Sequence, residues 1–479
     1  MKRIIIPALL GTSVWASPAL AQMDHSSMNM PGMEKPASVP APIPAPAPVP
    51  APVPSSTPAP PSAPATDHAG MDHSGMDHSG MAMDQTEMGL ADPLAARRVN
   101  SSATRRQYFA EGSGTARLPG TETMHGQHIM AGDWMLMAHG NASLQYTDHG
   151  GPRGDSKTYV TSMAMLIGTR ETDWGRIQLK SMLSAEPAMD SSGYPNLFAS
   201  GETSRGVPLV DRQHPHDLFM ELAARVDVDV AGGSLYLYGG PVGEPALGPS
   251  AFMHRGSASN NPEAPITHHW FDSTHITYGV VTAGYSASRW QLEASAFRGQ
   301  EPDEQRWNIE TPRLDSWSVR ATYNPTVNWA MQVSYGQLKQ PEASHPGEDE
   351  RRLTASAHYG RGGLTAMGAF SAKTRVPGDT LTALLGEVNW DVDARNSLFV
   401  RAESVANDEL FGDHLNPLHD QTFRVSKFQA GYARHTPIGP FDLALGGSVN
   451  AYAKPAALDP YYGRSPLGYT LFMKISLGH

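Results

Sequence analysis

The chain has 479 residues, with 36 Lys and Arg against 47 Asp and Glu, a formal charge of −11, and no Cys beside 23 Met and 20 His. The acidic balance argues against nucleic acid as a partner. The missing Cys excludes thiolate metal sites and disulfide staples, leaving thioether and imidazole as the soft and borderline ligands.

Residues 1–21 carry Lys2 and Arg3, an apolar stretch from Ile4 to about Ala16, and the end Ala19-Leu20-Ala21. This pattern reads as a secretory signal removed after Ala21. No later stretch reaches the ~18 continuous apolar residues that a spanning helix needs. Residues 22–90 hold MDHSSMNMPGM at 23–33 and MDHSGMDHSGMAM at 71–83, joined by a Pro/Ala-rich linker at 36–64. Proline at nearly every second position favours extended polyproline chain, so the linker is a semi-rigid arm of up to roughly 90 Å. Gly, Ser and Asp separate the Met and His, so this tail cannot build a core and is expected to be disordered.

The use of the tail must then be chemical. Thioether sulfur suits Cu(I) or Ag(I), and imidazole suits Cu(II) or zinc as well. The candidate ligands are Met23, His25, Met28, Met30, Met33, His68, Met71, His73, Met76, His78, Met81, Met83 and Met88. A flexible chain carrying both ligand types predicts capture of copper, Cu(I) above all, with silver or zinc as alternatives. Residues 91–131 form a periplasmic lead-in ending in MHGQHIM, which adds Met124, His125, His128 and Met130 at the entrance of the C-terminal region.

From about Gly132 to the end the texture is period-two alternation. In residues 216–230, Leu218, Met220, Leu222, Ala224, Val226, Val228 and Val230 share one face, and Asp217, Glu221, Arg225, Asp227 and Asp229 the other. Candidate strands lie near 132–147, 157–170, 173–185, 216–230, 233–241, 272–287, 288–300, 313–324, 327–338, 351–360, 363–374, 380–392, 395–407, 421–434, 439–452 and 468–477. Links after even strands are short and those after most odd strands are long, as in 186–215 and 242–271. An even count of strands of about ten residues with alternating short and long links predicts an all-β fold, a transmembrane antiparallel β-barrel of about 16 strands spanning 132–479. Closure leaves no open edge, which lipid requires. Short turns are expected in the periplasm, with the tail on the same side, and outer-membrane lipid is the expected surrounding.

The Met/His runs 23–33 and 71–83, the Pro-rich spacer and the C-terminal barrel together resemble the CopB/PcoB family of copper-resistance outer-membrane proteins. The segments at 210–222, 249–279 and 298–320 look like an uncharacterised barrel family associated with metal resistance. The resemblance implies copper handling at the outer membrane, with periplasmic copper proteins as partners.

Parity in the first strand turns Trp134, Leu136, Ala138, Ala142, Leu144 and Tyr146 outward, and Met135, Met137, His139, Asn141, Ser143 and Gln145 to the lumen. In the second strand, Val160, Ala164 and Leu166 outward leaves Met163 and Met165 inside. Such methionines serve packing as readily as ligation. At the opposite rim, two long loops carry His214, His216, Asp217, Met253, His254, His268, His269, Asp272 and His275. His-x-His in extended chain puts both rings on one side, and His275 falls with Asp217 and Glu221 by parity. A shared metal site competes here with ordinary hydrogen-bonding histidines. A rim hydrolase using His214, His216, Asp217, Ser273 and His275 is a lesser alternative, since no nucleophile elbow or H-E-x-x-H is present. The expectation is a non-enzymatic copper-resistance protein whose tail captures metal and whose barrel relays it, or else a tethered chelator using the barrel as an anchor.

Overall fold

The computed structural model describes residues 108–122, 126–419 and 421–478. Sixteen long antiparallel strands close into a barrel. They are β1 Trp134–His149, β2 Ser156–Thr172, β3 Gly175–Leu183, β4 Phe219–Val230, β5 Gly233–Gly243, β6 Thr277–Ala287, β7 Trp290–Phe297 and β8 Ser316–Tyr323. The second half comprises β9 Trp329–Leu338, β10 Asp349–Arg361, β11 Leu364–Val376, β12 Thr380–Asp393, β13 Asn396–Asn407, β14 Phe423–Ile438, β15 Phe441–Ala453 and β16 Leu467–Leu477. Closure comes from β16 against β1, with Gly468 opposite His149 and Leu477 opposite Gly140.

Alternation sets which side each residue takes. Leu292, Val319, Val333, Val400 and Leu471 point outward and are 44–57 % exposed, whereas the residues next to them, Glu293, Arg320, Ser334, Arg401 and Thr470, are at most 5 % exposed. An apolar belt on the outside of a closed barrel belongs in hydrocarbon. Exposed Trp290, Tyr323, Trp329 and Trp390 ring its short-turn end, and Trp317, Tyr335 and Tyr469 the long-loop end, the amphipathic girdles expected at two lipid–water boundaries.

Three local departures from simple alternation matter for the site. Residues 272–276, expected to open a strand, form turns, with a helical turn at His268–Phe271 and a 3-10 turn at Ser273–His275. The Asp272 carboxylate causes this by accepting from Phe252 N at 3.0 Å and pairing with His268 Nδ1 at 2.8 Å. A register shift against β3 between Phe219 and Glu221 turns Met220 inward, fully buried, instead of outward. Finally, Gln127–Ala131 pairs with Trp134–Ala138 as a hairpin, beyond the point where β16 closes the ring.

Two segments fill the lumen. Residues 108–122, expected within a periplasmic lead-in over 91–131, run inside the short-turn end. Arg117 donates to Ser286 Oγ at 2.6 Å, Ala287 O at 2.7 Å and Gln291 Oε1 at 3.1 Å, while Lys180 Nζ donates to Gly114 O at 2.7 Å. Gly114 has φ +53°, and a Cβ there would stand 2.8 Å from Glu244 Cβ, so glycine lets this segment pass close to the second one. That second segment is 244–276, expected as an external loop up to 271 and as strand from 272. It folds inward and meets the first, with Ala251 N donating to Ser113 Oγ at 2.7 Å and Gly256 N to Glu122 Oε2 at 3.0 Å.

The inward path of 244–276 follows from its charge partners and apolar anchors. Arg255, with no side-chain exposure, reaches Asp272 at 2.9 Å and Glu387 of β12 at 3.0 Å. Glu263 pairs with Lys427 of β14 at 2.8 Å. Ile266, Trp270 and Phe271 pack with Leu381, Leu385, Val405 and Val425 from the far wall. Buried charges are tolerable only when paired, and removing one partner is costly. The loop and wall therefore hold each other.

Candidate metal centre

The tail candidates of residues 22–90, with Met124 and His125, lie outside the described residues. His128 and Met130 stand exposed on the 127–131 strand. Met135 is 38 % exposed rather than lining a closed lumen, because it sits on the projecting hairpin opposite Met130. None of these three joins an enclosed site.

Deeper in β1 and its neighbours the picture changes. Met137, Met163, Met165, Met182 and Met220 form one buried cluster with Ile167, Val242, Ile276 and Tyr278, and Met253 packs against it. His254, on the inserted segment, places Nε2 3.3 Å from Met182 Sδ. Its Nδ1 is buried with no hydrogen-bond partner, and its ring centre lies 6.4 Å from that of His139. Burial holds the His254 pKa down to about 3, with His139 and Lys180 adding to the effect, so the ring is neutral. A cavity of about 60 Å³ touches Met163, Met220, Met253, His216 and Glu186. Thioether and neutral imidazole facing one another match a soft monovalent cation.

The rim histidines are brought together, inside the loops rather than on them. The ring centres of His268 and His269 are 5.2 Å apart, those of His268 and His275 5.1 Å, and those of His216 and His275 5.2 Å. His214 lies 5.9 Å from His268 and 5.6 Å from His269. The expected His214/His216 chelate is looser, at 6.3 Å between centres, since each ring turns toward a different neighbour. All five are at most 8 % exposed.

The Nδ1 atoms are mostly held. His214 Nδ1 faces Pro215 O at 3.1 Å, His216 Nδ1 Glu186 Oε2 at 2.9 Å, and His275 Nδ1 Asp272 O at 2.7 Å. That leaves Nε2 of His214, His216 and His275 buried without a hydrogen bond. Fixing one nitrogen aims the other and sets the tautomer, the arrangement used by ligating histidines. Burial keeps His214 and His275 well below the usual histidine range, Arg306 adding to this at His214 and neighbouring rings at both. At His269 burial acts the same way, yet Glu301 and Glu202 outweigh it and raise the pKa to about 9.

Asp217, expected as a ligand, is committed elsewhere: Arg306 Nη1 donates to it at 3.1 Å and Tyr278 OH at 3.2 Å. Sequence reasoning missed Glu202 and Glu301. His269 lies 3.4 Å from Glu301, and His214 lies 3.5 Å from Oε1 of Glu202, whose Oε2 accepts from Arg306 at 3.0 Å, contacts that no local spacing announces. It also missed Met182 and Met220, the second hidden by the shift in register. A further group, Glu342, His345 and Glu409, is already neutralised by Lys373 and Arg375.

No protein-family model and no curated protein matches the chain. Among solved structures it is similar to Salmonella typhi OmpF in complex with daunomycin, at 10 % identity and TM-score 0.47, covering 73 % of this chain and 100 % of that one. It is also similar to an anion-selective porin from Comamonas acidovorans, at 12 % identity and TM-score 0.43, covering 72 % and 100 %. A third is the outer-membrane channel DcaP of Acinetobacter baumannii, at 11 % identity and TM-score 0.43, covering 74 % and 100 %.

Proposed function

We propose that this barrel sits in the outer membrane and handles a soft cation, copper(I) or silver(I), captured by the Met/His tail of 22–90 and relayed through the lumen. The observation that carries this is the Met137/Met163/Met165/Met182/Met220 cluster facing His254, with Met182 Sδ 3.3 Å from His254 Nε2. Leucine would fill the same apolar space with fewer rotatable bonds. Thioethers add a ligand for a soft ion, and several weak ligands in one region let an ion leave as well as enter. The chain enters the barrel at the short-turn end through 108–122, on the side assigned to the tail and to periplasmic copper proteins. We read the protein as a binder and conduit and not an enzyme: Ser273 Oγ accepts from Arg352 at 2.9 Å, and His275 Nδ1 faces a backbone carbonyl.

A second reading, a tethered chelator anchored by its barrel, is favoured by the two segments that fill the lumen. Replacing Met137, Met163, Met165 and Met182 by Leu separates the two. The relay expects lower copper tolerance in cells, with normal barrel assembly and unchanged binding by the tail. Unchanged tolerance in that variant, together with lost tolerance on deleting residues 22–90, would leave only the chelator.

A further inference from the structure

The five-histidine cluster differs in chemistry from the thioether cluster. One donor atom from each of His214, His268 and His269 lies within 4.8 Å of the other two, and the same holds for Glu202, His269 and Glu301. The two groups share the His269 side chain, which therefore has two imidazoles and two carboxylates beside it. Donors 2.0–2.1 Å from an ion in tetrahedral array stand roughly 3.3 Å apart.

Three observations separate this cluster from histidines that merely pack. His214 Nε2 is buried without a hydrogen bond, with Glu202 Oε1 3.5 Å away, while its Nδ1 is held by Pro215 O. His268 Nδ1 pairs with Asp272 Oδ1 at 2.8 Å, and that carboxylate is itself anchored by Arg255. Leaving buried polar nitrogens unpaired is unfavourable, a cost a ligand offsets. The third observation is an adjoining cavity of about 300 Å³ lined by Glu202, Glu301, Asp303 and Glu304, two of which also lie beside His269. An acidic vestibule concentrates cations at its inner end.

We propose that His214, His268 and His269, completed by a carboxylate oxygen of Glu202 or Glu301, bind one divalent transition cation of borderline softness, of the zinc or copper(II) class. Imidazole with carboxylate suits such ions, whereas monovalent copper prefers the sulfur-rich cluster. This assignment stands apart from the copper(I) relay.

The test uses the full-length protein in detergent, titrated with Co(II) as a spectroscopic stand-in for zinc. The tail also carries histidines, so the measured quantity is the difference between full-length proteins. The wild type should take up one more equivalent of Co(II), with a tetrahedral d–d spectrum, than the His214→Gln/His269→Gln variant. Met182→Leu should keep that equivalent. Equal uptake by wild type and the double variant overturns the site, and loss of the equivalent in Met182→Leu overturns its separateness. Should the double variant fail to assemble, anomalous scattering from zinc-soaked wild-type crystals decides. A zinc peak within bonding distance of His214, His268 and His269 supports the site, and none there refutes it, while silver uptake at Met182 and His254 reports independently on the relay.

Discussion

Arg255→Met tests whether the inserted segment 244–276 is what narrows the lumen. Arg255 donates to Glu387 through Nε at 3.0 Å and Nη2 at 3.2 Å, and through Nη1 to Asp272 at 2.9 Å and Ser250 O at 3.1 Å. Glu387 keeps a second cation, Arg401 Nε at 2.8 Å, but Asp272 keeps only histidine and backbone partners. Methionine preserves much of the stem volume and removes the charge. Breaking a buried pair by deleting one partner costs about 3–5 kcal/mol, and each ~1.4 kcal/mol is a factor of ten. The docked segment should lose roughly two to three and a half decades of preference over undocked states. Single-channel conductance in planar bilayers is the assay. The wild type should pass little current, and Arg255→Met should show larger and noisier openings. Adding Asp272→Asn should recover part of the wild-type behaviour, because it removes the carboxylate that Arg255→Met strands while keeping an oxygen for Phe252 N. Wild-type conductance in a correctly assembled Arg255→Met barrel would refute the claim that this ion network holds the segment in place.

Two further outcomes rest on named residues. Burial raises the Glu122 carboxyl to about 7, against the opposing pull of Gly256 N and Arg255. Because the docked state holds a proton that an undocked carboxyl near 4.5 has released, docking of 108–122 is strongest below about 4.5 and weakens as pH rises through about 7, by at most roughly 3 kcal/mol. Protease cleavage within 108–122 should accordingly increase with pH, and Glu122→Gln should flatten the profile. Gly201 has φ +111°, and a Cβ there would stand 2.5 Å from His269 Cγ. Gly201→Ala should thus push His269 aside at a cost of about 1–3 kcal/mol, removing the extra Co(II) equivalent while the barrel still assembles.

The barrel was legible because its signal is local. Lipid on one side and a polar lumen on the other impose period two on each strand, and turn length marks the ends without long-range information. Val226 and Arg225 follow the rule. Met220 breaks it because a single shifted register position reverses a side chain's direction, and composition does not record that shift. The contents of the lumen were harder to read. A polar loop rich in Gly, Ser and Asn looks the same whether it faces solvent or folds inward, and what draws 244–276 inside is the match of Arg255 with Glu387 and of Glu263 with Lys427. Those partners are far apart in sequence. The histidines were visible as residues, but their grouping was not. His-x-His spacing pointed to His214 with His216, whereas the fold gives His214 to His268 and His269 and leaves His216 to His275.

The ligand types also change in order along the lumen. Carboxylates line the vestibule at Glu202 and Glu301, imidazoles run on from His269 through His268 and His275 to His216 at centre spacings of 5.1–5.2 Å, and the cavity beside His216 opens on Met163, Met220 and Met253. An ion exchanging between neighbours along such a row moves from harder to softer donors. Copper satisfies both ends only by changing oxidation state, since imidazole with carboxylate suits Cu(II) and thioether suits Cu(I). Zinc, with no redox chemistry, has nothing to gain from the sulfur end. On the proposed assignments, the sulfur end of this row suits monovalent copper and silver and the carboxylate end suits divalent ions. Different ions resting at the two ends is therefore the simpler consequence of this arrangement than one divalent ion crossing the whole lumen.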